Sequence, residues 1–217
     1  MGQCRILLAF FTAIPTIAGF LTIMHQSLLM SAGLLLCIGP CQAADAAKSS
    51  PLAKMPGYVN LALNKKDDKG DFKPHPIASS NSECRHDLAF AAMNAIDGKT
   101  ENKGHGGAFP SWGPEQRKDL WFQIDFGKQV LVDRIDLFIR ADFPHDTHWH
   151  DATVVFSDGT SEKIQIQKTA ERQTFVLKQP HTLIWLRFTE LVQDEPLGWA
   201  AWSEVEVYGT EAPAKPR

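Results

Sequence analysis

The sequence predicts an all-β fold, an antiparallel β-sandwich of the jelly-roll type, for most of its 217 residues. Two observations support this prediction. Segments in which apolar and polar residues alternate recur at short intervals, separated by residues that favour turns. Only one short segment, His86–Ala95, has a helical pattern, and Asp97-Gly98 closes it. Strands at this spacing without a long helix are typical of an antiparallel sandwich or barrel.

Residues 1–43 do not belong to the predicted domain. They contain a single charged residue, Arg5, and two apolar runs, Ile6–Met24 and Ser27–Ile38. The small residues around Ala43 suit cleavage by a signal peptidase, which predicts a secreted protein or one of the periplasm or cell envelope. The alternative is that Ile6–Met24 is kept as a membrane anchor, since it is just long enough to span a bilayer.

The rest of the chain divides into a predicted linker at 44–57, one domain at 58–210 and a polar tail at 211–217. The linker is predicted from small residues and prolines without periodicity. Cys84 is the single cysteine after the leader, so no disulfide within the domain is possible. The formal charge of −3 and the lack of a dominant basic patch argue against nucleic acid as the main partner.

Each predicted strand follows from a local pattern. In Leu120–Gly127, the side chains of Phe122, Ile124 and Phe126 point to one face, which is the period of a half-buried strand. The Ser-Asp-Gly sequence that begins at Ser157 predicts a tight turn between two paired strands. The predicted strands, in order, are Val59–Leu63, Leu120–Gly127, Val130–Arg140, Ala152–Ser157, Lys163–Gln167, Gln173–Leu177, Leu183–Leu191 and Ser203–Gly209.

Five short motifs occur in a fixed order along residues 58–210. They are Asn60-Leu-Ala-Leu, Ala78-Ser-Ser, Ala95-Ile-Asp-Gly, Trp121-Phe-Gln-Ile-Asp-Phe-Gly and Ser203-Glu-Val-Glu-Val-Tyr-Gly. In this order they resemble the discoidin, or coagulation factor 5/8 type C, domains of the galactose-binding-like fold, which bacterial family 32 carbohydrate-binding modules share. The resemblance implies a jelly-roll sandwich whose last strand pairs near the first, with the loops at the opposite end free for binding.

Domains of this family often hold a structural calcium ion. The resemblance implies ligands at Asp97, at an oxygen near Thr100 and at Glu204, and calcium prefers such hard oxygen ligands. The chain departs from the family pattern in the long, glycine-rich stretch Lys99–Ser111. The alternative is that Asp97 is a turn residue before glycine and that Glu204 is a solvated strand residue.

The densest cluster of polar and aromatic residues follows the predicted strand that ends near Arg140. Sugars need an aromatic face for their C–H surface and fixed donors and acceptors for their hydroxyl groups. The ligand-binding candidates here are Arg140, Asp142, His145, Asp146, His148 and Trp149. In the alternative interpretation, Arg140 forms a structural ion pair with Asp142 or Asp146 that braces the loop.

Other tryptophans are assigned by their position in strands or loops. Trp112 and Trp199 lie in predicted loops and are further ligand candidates. Trp121 and Trp185 lie inside predicted strands, which favours a packing role. His105 lies in a glycine-rich loop and is either a residue that closes over a ligand or a solvent-exposed one.

No enzyme motif is found in the sequence. It contains no nucleophile elbow, no phosphate-binding glycine loop and no recognisable pair of catalytic acids. We therefore expect a stand-alone, exported, non-catalytic module that binds a glycan or glycoconjugate for uptake, for adhesion or for a partner enzyme. One alternative is a protein-interaction or envelope-structural domain. The other is a metal-dependent hydrolase that uses His145, His148 and His150 with Asp146 and Asp151.

Overall fold

The computed structural model describes residues 50–101, 110–141, 146–193 and 198–212. All of them belong to one compact unit. The predicted leader at 1–43 and three candidate residues, His105, Asp142 and His145, lie outside the described residues. Within the described ranges, no helix has the length and apolar character needed to cross a membrane.

The described part of the chain is built from seven strands that pair in antiparallel fashion. They are β1 Val59–Asn60, β2 Ile77–Ser80, β3 Phe122–Ile139, β4 Asp151–Phe156, β5 Ser161–Gln165, β6 Gln173–Val192 and β7 Trp202–Glu211. The order of paired strands is β1-β7-β3-β6-β4-β5. The strand β2 pairs with the first part of β3, on the edge that faces away from β6. The predicted all-β sandwich is confirmed.

The two layers of the sandwich share the long strands β3 and β6. The first part of β3, to Asp125, pairs with β2 and with the end of β6. The part from Val130 onward pairs with β7 and with the beginning of β6. The register shifts between Asp125 and Val130, where Gly127 adopts a φ of +68° that favours glycine. One hydrogen-bonded sheet therefore bends into both layers.

The sequence divides these long strands where the structure does not. Predicted strands on either side of Gly127 form the single strand β3, and Gln173–Leu177 and Leu183–Leu191 both belong to β6. A polar residue or a glycine at a bend resembles a chain reversal in the sequence, but here the strand continues beyond the bend. The short strand β2 was not among the predicted strands, although the Ala78-Ser-Ser motif lies in it.

The predicted helix His86–Ala95 is wrong. Three short 3₁₀ helices occupy the region: Cys84–His86, Leu88–Phe90 and Ala92–Ile96. Asp87 and Ala91, which separate these helices, have extended backbone angles. The Asp87 carboxylate accepts a hydrogen bond from the Ala89 N–H. Because each extended residue interrupts the helical hydrogen bonds, a continuous helix cannot form.

The core lies between the two layers and is closed at one end by aromatic rings. Residues such as Phe122, Phe188 and Val205 contribute from the inward faces of the strands. At the closed end, the Trp112 ring lies 5.4 Å from that of Trp149 and 5.1 Å from that of Trp202. Cys84, the one cysteine within the described ranges, is free, so the described core is stabilised by close packing of such rings without a disulfide.

The predicted linker at 44–57 needs correction over its described part. Asp133 sits at a break in the register of β3 with β6 and β7, and its side chain is fully buried. Its carboxylate accepts hydrogen bonds from the Ser50 hydroxyl, the Leu52 N–H and the Tyr58 hydroxyl. These hydrogen bonds fix residues 50–57 to the sheet. They also supply the donors that a buried carboxylate requires.

The two ends of β7 have different neighbours. Near its C-terminal end, Gly209 pairs with Val59 of β1, as the resemblance implied. At its other end, Trp202 pairs with Ile139 at the end of β3. The chain thus enters and leaves the domain at one end, while the segment that follows β3 and the segment that precedes β7 meet at the other.

Candidate functional site

A cavity of about 190 Å³ opens at the end of the sandwich where β3 ends and β7 begins. Its described lining combines charged and aromatic side chains with small residues that leave space between them. The lining residues are Cys84, Arg85, Phe90, Gly113, Arg140, Asp146, Trp199, Ala200 and Ala201. Three of the predicted ligand-binding residues, Arg140, Asp146 and Trp199, are brought together here.

Arg140 and Asp146 form an ion pair on the wall of this pocket. The Arg140 Nη2 atom lies 3.7 Å from Asp146 Oδ1, and both side chains are at least nine-tenths buried. The backbone holds the pair in place, since the Arg140 N–H donates to the Ala201 carbonyl at 2.9 Å. The pair therefore matches the bracing ion pair of the alternative interpretation. Both residues also line the cavity.

Trp199 is the exposed aromatic residue of the site. Its side chain is 43% exposed, and it lies on the pocket rim. An isolated bridge to Asp146 and a hydrogen bond from the Thr147 N–H to the Trp199 carbonyl fix its backbone. Gly198 permits this approach, since a Cβ atom there would lie 2.5 Å from Thr147 Cγ2. An indole on a fixed backbone offers a ready flat surface.

The predicted ligand contacts at Trp149 and Trp112 need correction. Trp149 is 2% exposed and Trp112 is fully buried, and both belong to the aromatic cluster that closes the core. The Trp112 indole N–H donates to the Ser82 carbonyl at 3.1 Å, so its polar atom is satisfied inside the protein. A loop position did not imply exposure, because these loops fold over the open end of the sandwich.

The histidine run of the metal-dependent hydrolase alternative is described only in part, because His145 lies outside the described residues. His148 and His150 precede β4 rather than lying within it, and both are half-buried. His150 Nδ1 pairs with its neighbour Asp151 at 2.7 Å. Within the ranges that the structure describes, no group of three or more histidines, cysteines or acids is placed to hold a metal ion.

Arg85 and its neighbours were missed by the sequence analysis. Arg85 has φ 55° and ψ 19°, a left-handed conformation that is uncommon for a residue with a side chain. Its N–H donates to Glu115 Oε1 at 2.8 Å, and the Cys84 N–H donates to the Gly113 carbonyl at 2.8 Å. The run Cys84-Arg-His-Asp was the available indication, because its polar residues do not fit an amphipathic helix.

Two of the predicted calcium residues, Glu204 of β7 and Asp97, are buried close together. Glu204 is fully buried, and its Oε1 atom accepts a hydrogen bond from the Gly98 N–H at 3.0 Å. Its Oε2 atom has no hydrogen-bond partner in the described structure. Asp97 is also buried and pairs with the exposed Lys99 amino group at 3.2 Å.

These two carboxylates interact electrostatically. Burial is the main cause that raises the pKa of Glu204 to about 8, while the hydrogen bond from Gly98 opposes this and the charge of Asp97 adds to it. Thr100 is half-buried, and its hydroxyl forms no hydrogen bond to either carboxylate in the described structure. The alternative of a solvated Glu204 is therefore wrong.

The sequence matches no protein-family model, and no curated protein matches it. Three similar solved structures are a lectin, a lectin domain and a fucose-binding module. An F-lectin (fucolectin) from striped bass, Morone saxatilis, is 18% identical with a TM-score of 0.57, and the match covers 74% of this chain and 52% of that one. The lectin domain of lectinolysin, solved with the Lewis B antigen, is 16% identical with a TM-score of 0.51, covering 70% and 97% of the two chains.

The third structure is a fucose-binding module of Streptococcus pneumoniae. It is 16% identical to this chain, with a TM-score of 0.50, and the match covers 70% of this chain and 99% of that one. At these identities the similarity establishes the fold. The chain has the galactose-binding-like fold of these three structures, and the resemblance stated from the sequence motifs is confirmed at that level.

Proposed function

We propose that this protein is an exported, non-catalytic module that binds carbohydrate in the pocket between Arg85, Arg140 and Trp199. The observation that carries the proposal is a partly exposed indole beside a fixed guanidinium–carboxylate pair, on a fold shared with lectin domains. An indole stacks against the C–H face of a sugar ring, and the charged pair offers both donors and acceptors to hydroxyl groups.

The proposed mechanism of binding is a division of roles within the pocket. The Trp199 ring supports the sugar from the rim, and the Arg140–Asp146 pair meets its hydroxyl groups from the wall. Because the pair is already formed and its backbone is fixed, little side-chain ordering accompanies binding. A single small pocket of this kind binds a monosaccharide weakly, with a Kd around millimolar, so function as an accessory to a partner enzyme or as one of several copies is expected.

Export is proposed from the apolar segments and small residues of 1–43. The proposed lack of catalysis is supported by the absence of an enzyme motif from the sequence and by the binding modules among the similar structures. Both remain proposals that fractionation of producing cells and assays on bound glycans will test.

We further propose a structural calcium ion at Asp97 and Glu204. The residues fit such an ion, because Glu204 presents a buried carboxylate oxygen without a partner beside a second buried acid. A bound calcium ion would supply positive charge that offsets the burial of both carboxylates. It would also tie Asp97, which follows the 3₁₀ helix Ala92–Ile96, to β7. A role for Thr100 stays a prediction.

A glycan array and affinity electrophoresis with the full-length protein test the carbohydrate proposal. The key variant is Trp199→Ala, with Trp185→Ala as its control, since Trp185 lies on the face of the sheet and does not line the pocket. We expect Trp199→Ala to abolish retention on the bound glycan while Trp185→Ala retains it. Folded protein that is retained on no glycan contradicts the proposal.

A further inference from the structure

The charge of the pocket lining is unbalanced. Its described residues include two arginines, Arg85 and Arg140, and a single acid, Asp146. The Arg140 and Asp146 charges offset each other within their buried pair. Arg85 therefore gives the described lining an excess positive charge.

The guanidinium of Arg85 is available to a ligand. Arg85 is exposed, and within the described ranges its guanidinium has no ion pair or hydrogen bond. Two acids close in the sequence or bonded to this residue bind backbone groups and not its guanidinium. The Glu115 carboxylate accepts a hydrogen bond from the Arg85 backbone N–H, and the Asp87 carboxylate accepts one from the Ala89 N–H.

The backbone that carries Arg85 is held in an unfavourable conformation by its surroundings. A left-handed conformation is unfavourable for a residue with a side chain, because its Cβ atom comes too close to the following carbonyl oxygen. The hydrogen bond to Glu115 and that from Asp87 N–H to the Cys84 carbonyl, at 3.0 Å, stabilise it here. Residues held in this way cluster at binding sites, so the conformation supports a ligand-binding role for Arg85.

We propose that the pocket takes an anionic sugar, with its carboxylate or sulfate group at Arg85 and its ring against Trp199. This inference rests on the carbohydrate-binding function proposed above and names its ligand class. The planar guanidinium binds a carboxylate or sulfate through two parallel hydrogen bonds. Phe90 and Trp199, which also line the cavity, supply the apolar surface for the ring.

The test compares polymers that differ only in charge, using the full-length protein in affinity electrophoresis. Polygalacturonate is paired with its methyl ester, and dextran sulfate with dextran. We expect the charged member of at least one pair to bind ten times more tightly or better, and the pair that responds identifies carboxylate or sulfate as the recognised group. Rising salt should weaken binding of the charged member only.

Two single-charge variants assign the effect to Arg85. We expect Arg85→Gln to weaken binding of the charged polymer about tenfold, equivalent to about 1.4 kcal/mol. Lys168→Gln, which removes an exposed charge from the segment between β5 and β6, should leave it unchanged. Thermal unfolding of each variant checks that the fold is kept.

The outcomes separate the two proposals. Equal binding of charged and neutral polymers, or an equal loss in Arg85→Gln and Lys168→Gln, overturns the anionic ligand and leaves carbohydrate binding in place. No binding to any of the four polymers or to any sugar of a glycan array overturns both proposals.

Discussion

Truncation of two tryptophans should have opposite consequences for stability and for binding. Trp149 is 2% exposed, and its ring packs 5.4 Å from the rings of both Trp112 and Trp202. Trp149→Ala removes a whole indole from this cluster, and such core truncations cost about 3–5 kcal/mol. Trp199 is 43% exposed, so Trp199→Ala should cost less than about 1 kcal/mol.

Urea unfolding followed by circular dichroism measures both changes. In thermal unfolding of a domain of this size, the loss of unfolding free energy in Trp149→Ala corresponds to a fall in Tm of roughly 10 °C. Glycan retention at a temperature where both variants are folded gives the second readout, and there Trp199→Ala should be the defective one. If Trp149→Ala proves as stable as the wild type and loses binding, then the ring faces the ligand and the account of the aromatic cluster fails.

Three further outcomes follow from particular contacts. When a chelator has removed calcium, the free energy of unfolding should fall as the pH rises from 5 to 8, by up to the order of 3 kcal/mol. The Glu204 pKa of about 8 in the folded state lies above its unfolded value. Over this range the folded state therefore holds a proton that the unfolded state has lost. Glu204→Gln should remove this slope and also the gain in Tm on adding calcium, and an unchanged slope in the variant would rule out Glu204 as its source. Gly209→Ala should lower Tm far more than Gly159→Ala, because its Cβ would lie 2.0 Å from the Leu131 carbonyl oxygen. A Cβ at Gly159 meets nothing within 4 Å, and Gly159→Ala carries the strain of a φ of +88°, which costs roughly 1–2 kcal/mol. Similar Tm values for the two variants would contradict this packing. Asp133→Ala should release residues 50–57 and make them sensitive to limited proteolysis, while cleavage no faster than in the wild type would show that other contacts hold the segment.

The sequence predicts the sheet well because alternation is a local property. Phe122, Ile124 and Phe126 alternate with polar residues, and all three are buried in the structure as predicted. The union of two predicted strands through Gly127 depends instead on pairing with β6, which lies far along the chain. Periodicity carries no information about such long-range pairing.

The candidate site was predicted in part, and the errors have two physical causes. Arg140 and Trp199 were found because their residue types are chemically informative. Trp149 and Trp112 were misassigned, because an open end of a β-sandwich must be covered and large rings from loops can cover it. Arg85 was missed because Cys84-Arg-His-Asp indicates only a poor fit to an amphipathic helix, and this run does not reveal the left-handed backbone conformation of Arg85.

The described segments that lead into and out of the domain lie together near the C-terminal end of β7, which determines how the domain can be displayed. β7 contains ten residues, so its two ends are roughly 30 Å apart at about 3.3 Å per residue. Attachment to a bead, a membrane or a neighbouring polypeptide near Val59 or Glu211 would orient the pocket toward the surrounding medium. Many copies anchored in this way would present their cavities side by side on an accessible outer layer, which favours capture of long polymers over single sugars.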